Sequence, residues 1–487
     1  MALVAHPYIY EINTWVWLRE LGVGLGEVPS EEWDEIGELG FDAVWLMGVW
    51  ERSPAGVEIA LRNEGLVQSF RGALPDYTAA DVVGSPYCIR DYTVAAGLGG
   101  DEGLAAARES LDRCGLKLIL DFVPNHVAPD HPWAAAHPEY FVRGDEDDLE
   151  RDPASYVRVG NSVLANGRDP YFPAWPDVVQ LNAFSPELRA AVRSTLGRIA
   201  GQCDGVRCDM AMLMMNDIFE RTWGERAGPR PPEEYWPPLI EAVKSEHRDF
   251  VFLAEAYWDL EYDLQQQGFD YCYDKRLYDR LLHEGASSAH GHLTGDPAYQ
   301  ERLLRFIENH DEPRAASVFG PGQARAAAVA TLTQTGARLV HDGQLDGRRV
   351  QLPVFLGRRP EEQPDPDLRS FYGRLLEALD DDVFRTGSWQ LGETGGWNES
   401  DGWHNLLAWG WSGDGTRKLV VVNLAGSRAV GHVSLAWDDL AGVDWTLTDA
   451  ASGQVYERSG DDLRHGLYVS LEPWGWHLFD VAQRAAS

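Results

Sequence analysis

GVRCDMAMLMMND, residues 205–217, is a run of core-like residues with two opposite charges, Arg207 and Asp209, set into it. Residues two apart on a β-strand point to the same face, so these side chains can meet. One reading is a local ion pair on a half-buried strand. The other is the mouth of a β/α barrel, where strand ends carry chemistry.

The run is one of eight. IYEINTWV (9–16), FDAVWLMGVW (41–50) and LKLILDFVPNH (116–126) precede DGVRCDMA (204–211). DFVFLAEAYW (249–258), FDYCYDK (269–275), LLRFIENHD (303–311) and ARLVHDGQ (337–344) follow it. Between them lie amphipathic stretches such as SEEWDEIGELG (30–40), DEGLAAARESLDRCG (101–115) and SPELRAAVRSTLGRIAG (185–201), with Ser30 and Ser185 expected as helix N-caps. Strands alternating with helices imply βα units and a parallel sheet. Eight such units over about 380 residues predict an α/β fold, a (β/α)8 TIM barrel with insertions. A doubly wound sheet is the alternative, but no GxGxxG turn follows the first strand.

A long Pro-, Asp- and aromatic-rich segment with little periodicity follows the third run. It predicts a small subdomain over 127–184 beside the barrel mouth, inserted between barrel segments 1–126 and 185–389. From 390 to 487 the pattern changes to LLAWGWSG, KLVVVNLAG, AVGHVSLAW, DWTLTDAASG and HGLYVSLEPWGWHLFDV, with Gly, Asp and Ser at the turns. That is an antiparallel β-sandwich signature.

Composition narrows the function. The 487 residues carry 77 acidic against 42 basic side chains, a net charge of -35, which argues against nucleic-acid or anionic-membrane partners. The five cysteines (88, 114, 203, 208, 272) are odd in number, scattered and without CxxC, as in a reduced, cytoplasmic protein. The N-terminus has no signal-peptide pattern, and no apolar stretch approaches the roughly 20 residues of a membrane span.

Most of the strand ends are polar: Asp121, Asn125 and His126 on the third, Arg207 and Asp209 on the fourth, Glu255 on the fifth, Glu308 to Glu312 on the seventh. Any one is explicable as a cap, a turn or a surface charge. Together, on different strands, they converge on one pocket. At these residues the chain resembles the alpha-amylase family of glycoside hydrolases. DFVPNH (121–126) is similar to its DxVxNH segment, GVRCD (205–209) to its GxRxD, the glutamate of FLAEAYW (252–258) to its acid, and ENHDE (308–312) to its NHD. WPDVVQLN (175–182) and SPYCIRDY (85–92) resemble two looser family segments, near QPDLN and GYxxxDY. The motifs keep the family's order over roughly residues 8–390, and a β-sandwich tail also fits.

The resemblance implies Asp209 as nucleophile, Glu255 as acid and base, and Asp311 as transition-state stabiliser. It also implies Arg207 beside Asp209, His126 and His310 on sugar hydroxyls, and Tyr87 stacked on the sugar ring. Retaining glycoside hydrolysis asks for these types: one charged and one protonated carboxyl, with a guanidinium favouring the charged one. Tyr257 and Trp258 offer an apolar wall for Glu255, or are plain core.

Where many members have Lys-His after the nucleophile this chain has Met212 and Leu213, so a long-chain endo-amylase is not expected. No metal or cofactor is expected, although Asn125 is of a type that ligates calcium. Arg348 and Arg349 either reach an anionic group of a substrate or pair with the chain's acidic residues. Among 19 tryptophans, Trp133, Trp175 and Trp236 are the candidates for sugar contact. The expected activity is retaining hydrolysis of short oligosaccharides or small α-glucosides. The alternatives are transglycosylation, sucrose or trehalose conversion, or a non-catalytic carbohydrate-binding barrel.

Overall fold

The computed structural model describes residues 2–396, 402–435 and 437–484; residues 397–401, 436 and 485–487 of the expected C-terminal unit lie outside the described residues. Eight parallel strands close into a barrel: β1 (Tyr8–Asn13), β2 (Ala43–Met47), β3 (Lys117–Phe122), β4 (Gly205–Cys208), β5 (Val251–Ala254), β6 (Tyr271–Tyr273), β7 (Leu303–Arg305) and β8 (Ala337–His341). Each coincides with one of the eight apolar runs, β1 starting one residue ahead of its run at Tyr8. The runs are continuous because a parallel barrel strand is buried on both faces, by side chains inside and helices outside.

The register sets up the chemistry. Arg207 pairs with Asp121 of β3 and Leu253 of β5, and Cys208 pairs with Phe122 and Ala254. One residue further on, Asp209 and Glu255 leave adjacent strand ends side by side.

The inserted region carries short antiparallel strands at His126–Val127, Arg143–Gly144, Tyr156–Val159, Ser162–Gly167 and Trp175–Gln180, with an irregular register between Trp175 and Val179. The Trp175–Gln180 strand turns Trp175 and Asp177 into the cavity at the barrel mouth. Ser185 caps the next helix, accepting from the Leu188 N–H at 3.2 Å. Ser30 does not cap its helix: Pro29 occupies that position, and Ser30 is the first helical residue.

Eight antiparallel strands from Ser388 to Gln483 form the C-terminal sheet. Strand Ser388–Gly395 pairs by its first half with Leu406–Gly413 and by its second half with Ala429–Ser434, so the sheet folds over. Val433, Val469 and Leu471 from one side thereby cluster with Leu419, Val421 and Leu447 from the other. Leu406 and Ala408 enter that cluster, whereas Leu407, Trp409 and Trp411 join the barrel's core.

Both Trp409 and Trp411 are fully buried and donate their indole N–H to the Thr333 carbonyl, at 2.9 and 2.8 Å. His6 and Phe384 pack edge-on against Trp411. Trp411→Ala therefore leaves a large cavity and a half-satisfied carbonyl at this junction. Its expected cost is about 3–5 kcal/mol, read as a lowered urea midpoint. All five cysteines carry free thiols. Among the described residues no helix is long and apolar enough to cross a membrane.

Candidate active site

Arg207 is the hub of the barrel mouth and is 1% exposed. Its Nη1 lies 2.7 Å from Asp209 Oδ1, and its Nη2 lies 2.7 Å from Glu255 Oε2 and 3.8 Å from Asp311 Oδ2. One guanidinium thus spans three carboxylates from the ends of β4, β5 and the segment after β7. Trp45, Tyr87 and Tyr273 pack around it with ring centroids 5.4, 5.1 and 5.6 Å from the guanidinium carbon, and its Nε–H donates to Tyr273 Oη at 3.2 Å. A cation so enclosed is held by its charged partners.

Three carboxylates around one cation cannot all stay charged at ordinary cost. Burial pushes Glu255 up; Arg207 opposes this, and the charges of Asp209 and Asp311 reinforce it, leaving Glu255 at about 7. Burial also raises Asp209, against the pull of Arg207. Burial acts on Asp311 in the same sense, but His310, through its charge and a hydrogen bond, and Arg207 together outweigh it and hold Asp311 below the usual carboxylate range. Glu255 is therefore the carboxyl that keeps a proton near neutrality.

The backbone is bent to fit. Met210, directly after Asp209, is left-handed (φ 44°), and its N–H donates to Glu255 Oε2 at 2.6 Å. A non-glycine residue held there is the kind of local strain that clusters at functional sites. Tyr257 Oη donates to Glu255 Oε1 at 3.0 Å, and Trp258 packs edge-on against Tyr171.

The seven residues expected at the site are together. Asp209, Glu255 and Asp311 line a cavity of about 360 Å³ with Tyr87, His126 and Trp175, while Arg207 lies beneath them. The Asp311 side chain is 39% exposed and faces the opening. His126 is neutral, held down to about 3 by burial, with its ring 5.2 Å from that of Trp175. Both nitrogens of His310 are taken within the protein: Nδ1 by Glu11 Oε1 at 2.5 Å, Nε2 by Asp311 Oδ2 at 3.0 Å and by the Tyr87 hydroxyl at 2.5 Å.

Other expectations fare differently. Trp236 is fully buried core, opening the helix Trp236–Glu246 and donating to the Ala211 carbonyl at 2.9 Å. Trp133 packs against His131 and Tyr140, away from the cavity lining. Arg348 lies over Gly343, Arg349 is exposed, and neither lines the cavity. Met212 and Leu213 are buried, so no polar side chain stands at those two positions. Asn125 Oδ1 accepts from Gln180 Nε2 at 2.8 Å, and no cluster of three or more His, Cys, Asp or Glu able to hold a metal occurs among the described residues.

A family model described as the alpha-amylase catalytic domain matches residues 30–276. The chain belongs to the alpha-amylase family. It is similar to the alpha-amylase MalA of Haloarcula japonica, 25% identical over 385 residues that cover 77% of this chain and 48% of that one. It is also similar to an alpha-1,4-glucan:maltose-1-phosphate maltosyltransferase of Cereibacter sphaeroides, 28% identical over 229 residues, 45% of this chain and 27% of that one. The chain thus spans half or less of these two relatives. Among solved structures, the noncanonic maltogenic alpha-amylase AmyB of Thermotoga neapolitana has the same fold, with a TM-score of 0.69 at 18% identity over 98% of this chain and 99% of that one.

Within the alpha-amylase fold, Glu11 is the residue that motif reading missed. It is wholly buried in β1 and grips His310. Its signal was present: a lone acid in an apolar run, IYEIN, as conspicuous as Asp209 in its own.

Proposed function

We propose that this protein is a retaining glycosidase acting on α-glucosidic bonds of short oligosaccharides or small α-glucosides. The observation that carries the reading is the single buried guanidinium shared by Asp209 and Glu255, with Glu255 raised to about 7. Two carboxyls tied to one guanidinium suit the short separation, about 5–5.5 Å, of retaining enzymes. Asp209 attacks the anomeric carbon while Glu255 protonates the leaving oxygen. Glu255, now charged, takes a proton from water, which displaces Asp209 and restores the α-configuration. Asp311 faces the cavity beside them and stabilises the positive charge developing on the sugar ring.

A cavity of about 360 Å³ is at the small end for ligand sites, and supports a short substrate. Buried Met212 and Leu213 support the same reading, because they offer no polar grip on a longer chain.

Transfer to a second sugar uses the same glycosyl-enzyme, and the partial similarity to maltosyltransferases keeps that outcome in view. A proton NMR time course with maltose, maltotriose, trehalose, sucrose, isomaltose, kojibiose and soluble starch separates the two. α-Glucose released first from a small substrate supports hydrolysis; new disaccharides support transfer. β-Glucose as first product would overturn retention, and no consumption of any substrate would favour a binding barrel.

A further inference from the structure

His310 stands between two acids. Glu11 meets Nδ1 at 2.5 Å and Asp311 meets Nε2 at 3.0 Å, while the edge of Trp45 packs against the ring with centroids 5.3 Å apart. Glu11 is 0% exposed; among the described residues it has no other ionic partner, and its buried Oε2 receives no hydrogen bond. Burying a carboxylate at the centre of a barrel costs several kcal/mol unless a cation answers it. The cation within reach is the imidazolium of His310. A ring with a carboxylate on each nitrogen can hold both protons, and with both in place it has one orientation and no choice of tautomer.

We propose that Glu11 is a positioning residue: it locks His310 as a doubly protonated ring whose positive charge, 3.0 Å from Asp311 Oδ2 at Nε2, holds Asp311 ionised at the cavity edge. His310 thereby clamps Asp311 at the cavity edge. The role of Asp311 in this statement presupposes the glycosidase reading; the state of His310 does not.

The register explains why β1 supplies the acid. Glu11 pairs with Trp45 of β2 and His341 of β8, which places it across from the segment after β7. The groups facing His310 are Glu11, Asp311, Tyr87, Asp121 of β3 and His341 of β8. Burial works against the charged ring, but Asp311 and Glu11 outweigh it and raise His310 to about 10. His341 is neutral, driven down by burial and by nearby cations, so it does not compete.

The test is Glu11→Gln, with two readouts. In wild-type protein, ¹⁵N-detected histidine NMR should show His310 doubly protonated up to pH 9. In Glu11→Gln it should lose a proton below pH 9, because one of its two acids is gone. On whichever substrate the wild type turns over, kcat should fall by about 10- to 100-fold, taking as the scale the loss of a carboxylate that orients a metal-ligating histidine. KM should change less than kcat, because Asp311 stabilises the transition state most.

His310 still doubly protonated at pH 9 in Glu11→Gln, or kcat within twofold of wild type, would overturn the proposal. Should Glu11→Gln not fold, Glu11→Asp carries the test: the charge remains but the reach shortens, so His310 should stay cationic while kcat drops. An unchanged kcat there overturns it equally. If the wild type consumes no substrate, the His310 titration still decides the lock, and the glycosidase reading fails separately.

Discussion

Asp209→Asn should leave a folded protein that no longer cleaves glucosides, with kcat/KM lower by about 10⁴-fold or more. The size follows from the role: removing a member of a covalent catalytic unit typically costs that much, and the residue left is the background of binding and electrostatics. The variant also separates the two first readings of residues 205–217. If the Arg207–Asp209 contact were a structural ion pair, breaking it would strand a buried charge and cost several kcal/mol. Here Arg207 keeps Glu255 at 2.7 Å, and asparagine retains an acceptor where Asp209 Oδ1 receives Nη1. Removing one of three crowded carboxylates relieves repulsion, so Tm should stay level or rise, as expected where a site is built for function at some cost in stability. Circular-dichroism melting and product NMR on one preparation check both halves. Full activity would remove Asp209 from the mechanism; a lost fold with lost activity would restore the structural reading.

The barrel was legible because its signal is physical and redundant. Strands buried on both faces must be apolar throughout, so β1 to β8 each stand out as a run bounded by polar residues. The candidate site was legible where a charge interrupts such a run and a motif surrounds it, as at Asp209 and Glu255, which the fold brings to one cavity. Glu11 satisfies the first condition only. Its partner His310 lies 299 residues away, a separation that local patterning cannot bridge. The strands of the inserted region escaped because they are two to six residues long and irregular in register, which leaves no stretch of alternation to read. Trp236 was misread because EEYWPPL looks like a loop. The two prolines instead sit in the first turn of a helix, where a missing N–H costs nothing, and the indole points into the core. Both Arg348 and Trp236 show the same limit: type and neighbours suggest a contact, but only the fold decides which way a side chain faces.

Glu255→Gln tests the proton itself. With Glu255 at about 7, the acid form is halved there in the free enzyme, and kcat/KM for an ordinary glucoside should fall about tenfold per pH unit above it. The acid limb should follow Asp209, whose carboxyl burial raises from its ordinary value against the pull of Arg207. The variant cannot protonate a leaving oxygen, so hydrolysis of maltose-like substrates should drop by about 10²–10⁴-fold. α-Glucosyl fluoride leaves without a proton, so formation of its glycosyl-enzyme should be nearly unaffected, and azide should then accept the glucosyl group to give α-glucosyl azide. The alkaline decline should vanish from what activity remains. Stability should move the opposite way. A folded-state value raised above the ordinary one adds stability at low pH that is lost as pH rises through about 7. Glutamine carries no charge to bury, so Glu255→Gln should melt close to wild type at pH 4 and above it at pH 8. Equal loss on fluoride and maltose, or an alkaline limb that persists in the variant, would take the acid role away from Glu255. The three results together demand one residue that is buried, protonated near neutrality and in line with the departing oxygen. Asp311 is held ionised by His310, and Asp209, although buried and raised, accepts a hydrogen bond from Arg207 that favours its charged form, so Glu255 meets that description best.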